Sequence, residues 1–218
     1  MKPRFWLERW QSNQIGFHQN EHNPLLVEFW PTLELPDDAR VFVPLCGKSL
    51  DMNWLSSMGH QVVGVELAQL AIEEYFAEQG ELEKESVDRF VRYRSAQTEV
   101  YQGDFFDLTT SLLEGVDAVF DRAALIALPP DMRFRYADHM LRIIPDGCRI
   151  LLITLEYDQA VVAGPPHAVL SEEVQQLFEH RCEIERMASI VTSNLPPKFG
   201  LNGVEQATES VYLITKQS

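Results

Sequence analysis

Along the chain, short apolar runs alternate with longer segments whose apolar positions recur every three or four residues, the pattern of strands interleaved with amphipathic helices. Residues 40–44 (RVFVP) and 61–65 (QVVGV) are β-branched, nearly continuous runs of the kind that buried strands carry. Between them Leu50, Met52, Trp54, Leu55 and Met58 mark a helix, with Ser49 placed to cap it and Gly59 to close it. Residues 68–79 predict a second amphipathic helix and 80–89 a charged, solvent-facing stretch. Residues 90–95 and 99–103 then predict a hairpin or edge strand. A fourth strand follows at 116–120 (VDAVF), then a helix over 132–144 opened by Pro129-Pro130-Asp131, and a fifth, deeply buried strand at 149–156 (RILLITLE). Ser171-Glu172-Glu173 caps a helix reaching His180. Two late strands, 183–192 and 209–216, joined by a Pro- and Gly-rich loop over 193–206, are expected to pair antiparallel at a sheet edge. At the front, residues 5–14 form a short amphipathic helix bearing Phe5, Trp6, Leu7 and Trp10, and Pro24 opens another that breaks at Pro31.

Repeated β-α units ending in an antiparallel pair predict an α/β fold around a mostly parallel sheet, with helices on both faces. In such sheets ligands bind outside the carboxyl ends of the strands. Two features of the first unit point there. The turn Leu45-Cys46-Gly47-Lys48-Ser49 leaves the first strand, and Glu66 ends the second, 21 residues after Leu45. That is close to the spacing at which an acid grips the hydroxyls of an adenosine ribose. Only Gly47 is a glycine in this turn, so a pyrophosphate has no glycine-lined seat, and the unit reads either as a nucleoside site or as a plain crossover. Gly47-Lys48-Ser49 is not a P-loop, because the glycine required five residues earlier is Phe42. Gly103-Asp104-Phe105-Phe106-Asp107 supplies an acid and aromatics where an adenine would be sandwiched, or else a simple turn capped by Asp107. The charged pair Asp121-Arg122 follows the fourth strand directly. The first helix reads as a cover for a sheet edge or as a lid with Trp10 over a cofactor.

Bulk properties narrow the partners. The chain has 218 residues, fitting one α/β domain, and 33 acids against 18 bases give a net charge of −15. Such a surface repels phosphate backbones and anionic lipids, so neither nucleic acid nor membrane is an expected partner. Cys46, Cys148 and Cys182 are scattered, which points to a reducing cytoplasm rather than a disulfide framework or a zinc site. The first residues carry no apolar core of a signal peptide, and no run approaches the 18 apolar residues of a membrane span. His18 and His22 lie four apart without H-E-x-x-H or a carboxylate triad, so no metal is expected. His139, His167 and His180 read as surface or packing residues.

An acid for a ribose, a turn for an amino-acid moiety and an aromatic cleft, with no pyrophosphate seat, match a class I S-adenosylmethionine-dependent methyltransferase. That fold is Rossmann-like, with a mostly parallel seven-stranded sheet, one antiparallel edge strand and helices on both faces. The segments FWLERWQ with GFH, VFVPLCGKSLDMNWL, VVGVE, DRAALIALPP, YADHM and GPPHAV strongly resemble the thiopurine S-methyltransferase family in its bacterial branch, from about Phe5 to Lys216. The resemblance implies a single methyltransferase domain over 1–218, with 1–35 a helical cap over the cofactor site. It also implies S-adenosyl-L-methionine as cofactor, S-adenosyl-L-homocysteine as product and a monomeric cytoplasmic enzyme. Residues matching the family's cofactor contacts are Trp10, Leu45, Glu66, Asp104, Phe105 and Arg122. Phe17, Pro166 and the 193–206 loop match the acceptor pocket, and Arg122 is the one candidate electrostatic helper in catalysis. The implied acceptors are thiopurines and other aromatic or heterocyclic thiols, with selenium or tellurium compounds and metalloid detoxification as an extension. The alternatives are transfer to a small-molecule oxygen or nitrogen, a cofactor-binding protein without transfer activity, and a nicotinamide oxidoreductase, against which the single glycine argues.

Overall fold

A computed structural model describes residues 3–77 and 79–218; Met1, Lys2 and Glu78, the last within the stretch read above as a helix over 68–79, lie outside the described residues. In chain order the elements are α1 Pro3–Gln11, α2 Pro24–Phe29, β1 Arg40–Val43, α3 Leu50–Ser57, β2 Gln61–Glu66 and α4 Gln69–Phe76. Next come β3 Glu83–Val87, β4 Phe90–Ser95, β5 Thr98–Gln102, β6 Ala118–Arg122, α5 Pro130–Ile143 and β7 Arg149–Glu156. The last elements are α6 Ser171–Phe178, β8 Cys182–Thr192, α7 Pro197–Leu201 and β9 Ala207–Lys216.

The strands form a nine-stranded sheet in the order β3-β4-β5-β2-β1-β6-β7-β9-β8. From β5 to β7 all pairings are parallel, so the α/β class expected from the alternation holds. Two details of the expected seven-stranded sheet do not. The charged stretch after Gly80 is a strand, β3, pairing antiparallel with β4, which itself lies antiparallel on β5. Its residues are almost all exposed, so no apolar alternation betrays it, and its charges suit an unpaired edge. The antiparallel strand at the other end, β9, is also not the edge. It pairs with β7 on one side and β8 on the other, and Val211, Tyr212 and Ile214 are fully buried in the layers on its two faces. β8 takes the edge with its mostly exposed pattern.

Period-two alternation sends the core to both faces. Phe42 joins Val63, Val65 and Val119 beneath α5 and α6, whereas Val41 and Val43 join Val62 and Phe120 beneath α2, α3 and α4. Full burial of a side chain such as Leu55 or Ile72 contributes about 1.5–3 kcal/mol before entropy is counted. Local caps behave largely as read: Ser49 accepts the Asp51 N–H at the start of α3, and Gly59, at φ +100°, ends it. Ser171 does not cap α6; Leu170 holds that position without a side-chain bond. The 193–206 loop contains the single helical turn α7. These corrections leave the carboxyl rim of β2, β1, β6 and β7 open, and α1 with the following loop lies over it.

Candidate active site

Every site residue singled out from the sequence lines one cavity of about 1240 Å³ at this rim: Trp10, Phe17, Leu45, Glu66, Asp104, Phe105, Arg122 and Pro166. The rim is built from strained turns. Leu45, two residues after β1, and Ala123, directly after β6, adopt φ of +47° and +62°, left-handed values that cost a non-glycine residue roughly 1–2 kcal/mol each. The Cys46 N–H still bonds the Val65 carbonyl at 3.0 Å, so the turn after β1 stays tied to β2.

Glu66 is the pin of the β2 end. It is 6% exposed, its Oε2 accepts the Gly47 N–H at 2.9 Å and its Oε1 accepts the Ala68 N–H at 2.7 Å. Burial pushes its carboxyl above the ordinary range, and bonds from the Ala68, Gly47 and Leu67 amides pull it partly back. A carboxylate offers about four acceptor sites, more than these amides fill, so acceptor capacity remains for a ligand hydroxyl. Over this pin lies Trp10, 5% exposed, packed with Ala68 and Ala71. Its Cζ2 lies 3.0 Å from where a Cβ on Gly47 would stand, so Gly47 is required both by its φ of +53° and by the indole. Phe17 meets the edge of Trp10 at 5.6 Å, which places it on the lid side of the cavity.

At the β5 end, Asp104 accepts the Phe106 N–H at 3.0 Å and caps a turn over Phe105–Asp107, in place of Asp107, which instead pairs with Arg89. The Phe105 ring belongs mainly to the core, stacked 6.5 Å from Phe42 and tilted by 30° against Tyr136 at 4.7 Å. Half-buried Phe106, with the Arg135 guanidinium 3.9 Å from its ring centroid, lines the cavity beside it; it belongs to the aromatic run read from the sequence but not to the cofactor contacts that the resemblance implied.

Asp121 and Arg122 are not an ion pair with each other. Alternation turns Asp121 into the α5 face, where it accepts Tyr136 Oη at 2.7 Å and the Leu125 N–H at 3.0 Å. Arg122 turns to the other face and pairs with Asp51 at 3.2 Å. Asp51, 3% exposed at its side chain, also accepts the Asn23 N–H at 2.7 Å and Ser49 Oγ at 2.9 Å. One carboxylate thus joins the N-terminal segment, the start of α3 and the cavity arginine. Asp51 was missed because an acid in the first turn of a helix is explained by the helix alone.

Beyond β7, Pro166 lies in the loop Gly164–His167, whose two X-Pro bonds at 165 and 166 are cis. Tyr157 Oη donates to the Pro166 carbonyl at 2.6 Å, and Lys198 Nζ, from α7, donates to the carbonyls of Ala163 at 2.6 Å and Pro165 at 2.5 Å. This wall and Glu209 complete the cavity opposite the Glu66 end. An acid with free acceptor capacity at the end of β2, an aromatic lid and a cavity of this volume fit a nucleoside-bearing cofactor without a diphosphate.

Comparison with known proteins bears on this fit. A family model described as thiopurine S-methyltransferase matches residues 1–217. Relatives named thiopurine S-methyltransferase include one from Nitrosospira multiformis, 45% identical across 98% of both chains. Another, from Pseudomonas fluorescens, is 48% identical across 98% of this chain and 99% of its own. Among solved structures, a methyltransferase from Anabaena variabilis described as SAM-dependent superposes with a TM-score of 0.67 at 12% identity, over 99% of this chain and 95% of its own. A Burkholderia thailandensis 1,6-didemethyltoxoflavin-N1-methyltransferase, solved with that substrate and S-adenosylhomocysteine, gives 0.66 at 14% identity over 99% and 87%. At those identities the structures speak to the fold alone.

Proposed function

The chain belongs to the thiopurine S-methyltransferase family and uses S-adenosyl-L-methionine, and on that premise we propose that it methylates the sulfur of thiopurines and other aromatic or heterocyclic thiols. The observation that carries this reading is the buried Glu66 carboxylate, bridging the Gly47 and Ala68 amides at the wall of the rim cavity with acceptor sites to spare. When bound, the cofactor supplies an electrophilic methyl group on a sulfonium. The chain's own residues hold and orient it. Glu66 takes the ribose hydroxyls, the Leu45 turn packs on the amino-acid moiety, and Asp104 with Phe105 flanks the adenine. Trp10 closes the cavity from above, as part of a cap formed by residues 3–35, the described part of the cap expected over 1–35.

Transfer from a cationic donor to an anionic sulfur neutralises charge in the transition state, so a water-poor cavity lowers the barrier. Alignment of nucleophile, carbon and leaving sulfur can supply up to ~7–11 kcal/mol. Arg122, held by Asp51, favours the anionic acceptor electrostatically. Selenols and tellurols are softer and more acidic than thiols, and their methylation, hence metalloid detoxification, belongs to the same reading. So do a monomeric state and a cytoplasmic setting. The three cysteines are free and buried, as a reducing compartment allows, and among the described residues no helix is long and apolar enough to cross a membrane.

The test is product analysis with methyl-labelled S-adenosyl-L-methionine and a panel of thiopurine, arylthiol, selenol, phenol and amine acceptors. Label in the sulfur and selenium products alone is expected. Label confined to the phenols or amines would overturn the acceptor assignment.

A further inference from the structure

Five acids line the cavity, and four are accounted for. Glu21 is exposed at the surface, and Asp51, Glu66 and Asp104 accept the donors described above. The fifth, Glu209, is half-buried, and among the described residues its carboxylate has no hydrogen bond or ion pair. Strand register fixes where it stands. Arg122 on β6 is level with Ile153 on β7, and Glu209 on β9 is level with Leu155. Ile153 and Leu155 are two residues apart on one strand, so Arg122 and Glu209 share a face of the sheet. Glu209 therefore overhangs the rim two residues beyond the level of Arg122, at the cavity end away from Glu66. The neighbouring wall is apolar, with Leu155 and Leu195 packed together there. Burial pushes the Glu209 carboxyl above the usual range, and the Arg122 charge pulls it partway back.

On the S-methyl-transfer reading above, we propose that Glu209 is the proton acceptor for the acceptor thiol. The S–H bond breaks, its proton goes to a carboxylate oxygen of Glu209 and its electron pair stays on sulfur. That pair forms the new bond to the donated methyl carbon, while the pair of the donor's carbon–sulfur bond leaves with the donor sulfur. Glu209 then releases its proton to water, so a thiol yields a methyl thioether and one proton. The charges around the site support this order. An aliphatic thiol with a pKa near ~8.5 is only a few per cent ionised at neutral pH, so an acceptor of that weak acidity arrives neutral, whereas an acidic arylthiol arrives ionised. Arg122 stands between Asp51 and Glu209; once Glu209 is neutral, more of the guanidinium charge is left for the new thiolate. The other charged groups facing this end are few. Lys198 on α7 is lowered mainly by burial and then by Arg9. Glu156 on β7 lies on the opposite face, bonded to Ser210, and the β8 partner of Glu209 is Ile190.

The experiment uses the full-length protein with thiols of graded pKa. For wild type and a weakly acidic thiol, kcat/KM should rise through the Glu209 titration and fall as the free thiol ionises. Glu209→Gln should lower that value by about a hundredfold, the scale of general base catalysis, and let it rise until the thiol itself ionises. The loss should shrink tenfold or more for an arylthiol already ionised at neutrality. A wild-type profile that keeps climbing to the thiol pKa, or equal losses across the series, would overturn the assignment. A second readout needs no turnover. With S-adenosylhomocysteine bound, the thiolate absorbance of a bound arylthiol should appear at a pH displaced by about one unit or more in Glu209→Gln, and no displacement counts against it. If the wild type methylates no thiol yet binds S-adenosylhomocysteine, the S-methyl reading itself falls, and this assignment with it.

Discussion

Asp121 and Arg122 are neighbours with opposite duties, and strand alternation alone separates them. Arg122 faces the cavity, while Asp121 is 2% exposed and pins Tyr136 and the Leu125 amide under the sheet. Burial pushes the Asp121 carboxyl from 3.8 to about 6, opposed in part by those two bonds. The folded state therefore holds this proton more tightly than the unfolded one. Its favourable contribution is complete below about pH 4 and is lost as pH rises through about 6. Asp121→Asn removes the titration while keeping one acceptor. Its cost relative to wild type should be largest at pH 4 and shrink by up to ~3 kcal/mol by pH 7, on urea denaturation at both pH values. A difference that does not change with pH would contradict this. The sequence made the pair conspicuous but could not say which partner each finds, because Asp51 and Tyr136 are set by long-range packing.

At the scale of elements, the lid is the part whose role most depends on a contact. Trp10 of α1 rests on Gly47, in the turn between β1 and α3. Gly47→Ala forces a left-handed alanine and drives Cβ against the indole. It should lower stability by about 1–2 kcal/mol and weaken S-adenosylhomocysteine binding at least tenfold. In a Trp10→Ala background the same substitution should cost only the backbone part, and a double-mutant cycle by denaturation and calorimetry reads the difference. Strict additivity would remove Trp10 from the site. The β1-α3-β2 unit and its closing acid were legible because their cues are local: β-branched runs, a serine cap and a terminal glycine. β3 was not, since an exposed edge strand of charged residues carries no alternation. Glu209 escaped notice for a related reason. In ESVYLITK a polar position reads as solvated until cross-strand register shows which rim it overhangs.

For the molecule as a whole, the account requires that the rim cavity and the fold stabilise each other through a ligand. At a hundred times its dissociation constant a ligand adds about 2.7 kcal/mol, which for a chain of this length is a rise of roughly 5–10 °C in Tm. S-adenosylhomocysteine should produce that rise in differential scanning fluorimetry, and NADH should produce none. A mostly parallel sheet with helices on both faces, and a ligand site at its carboxyl rim, could be anticipated from the alternation of elements. The nine-strand order and its exact edges could not, because they depend on which strands find a second neighbour.

Isothermal titration calorimetry with S-adenosylhomocysteine, on wild type and on Glu66→Gln, probes the central claim most directly. The account predicts one site per chain for wild type and at least about a tenfold weaker site in the variant, whose amide cannot accept both backbone N–H groups and a diol. Folded wild-type protein that gives no binding heat, or a Glu66→Gln protein that binds as tightly as wild type, would contradict it.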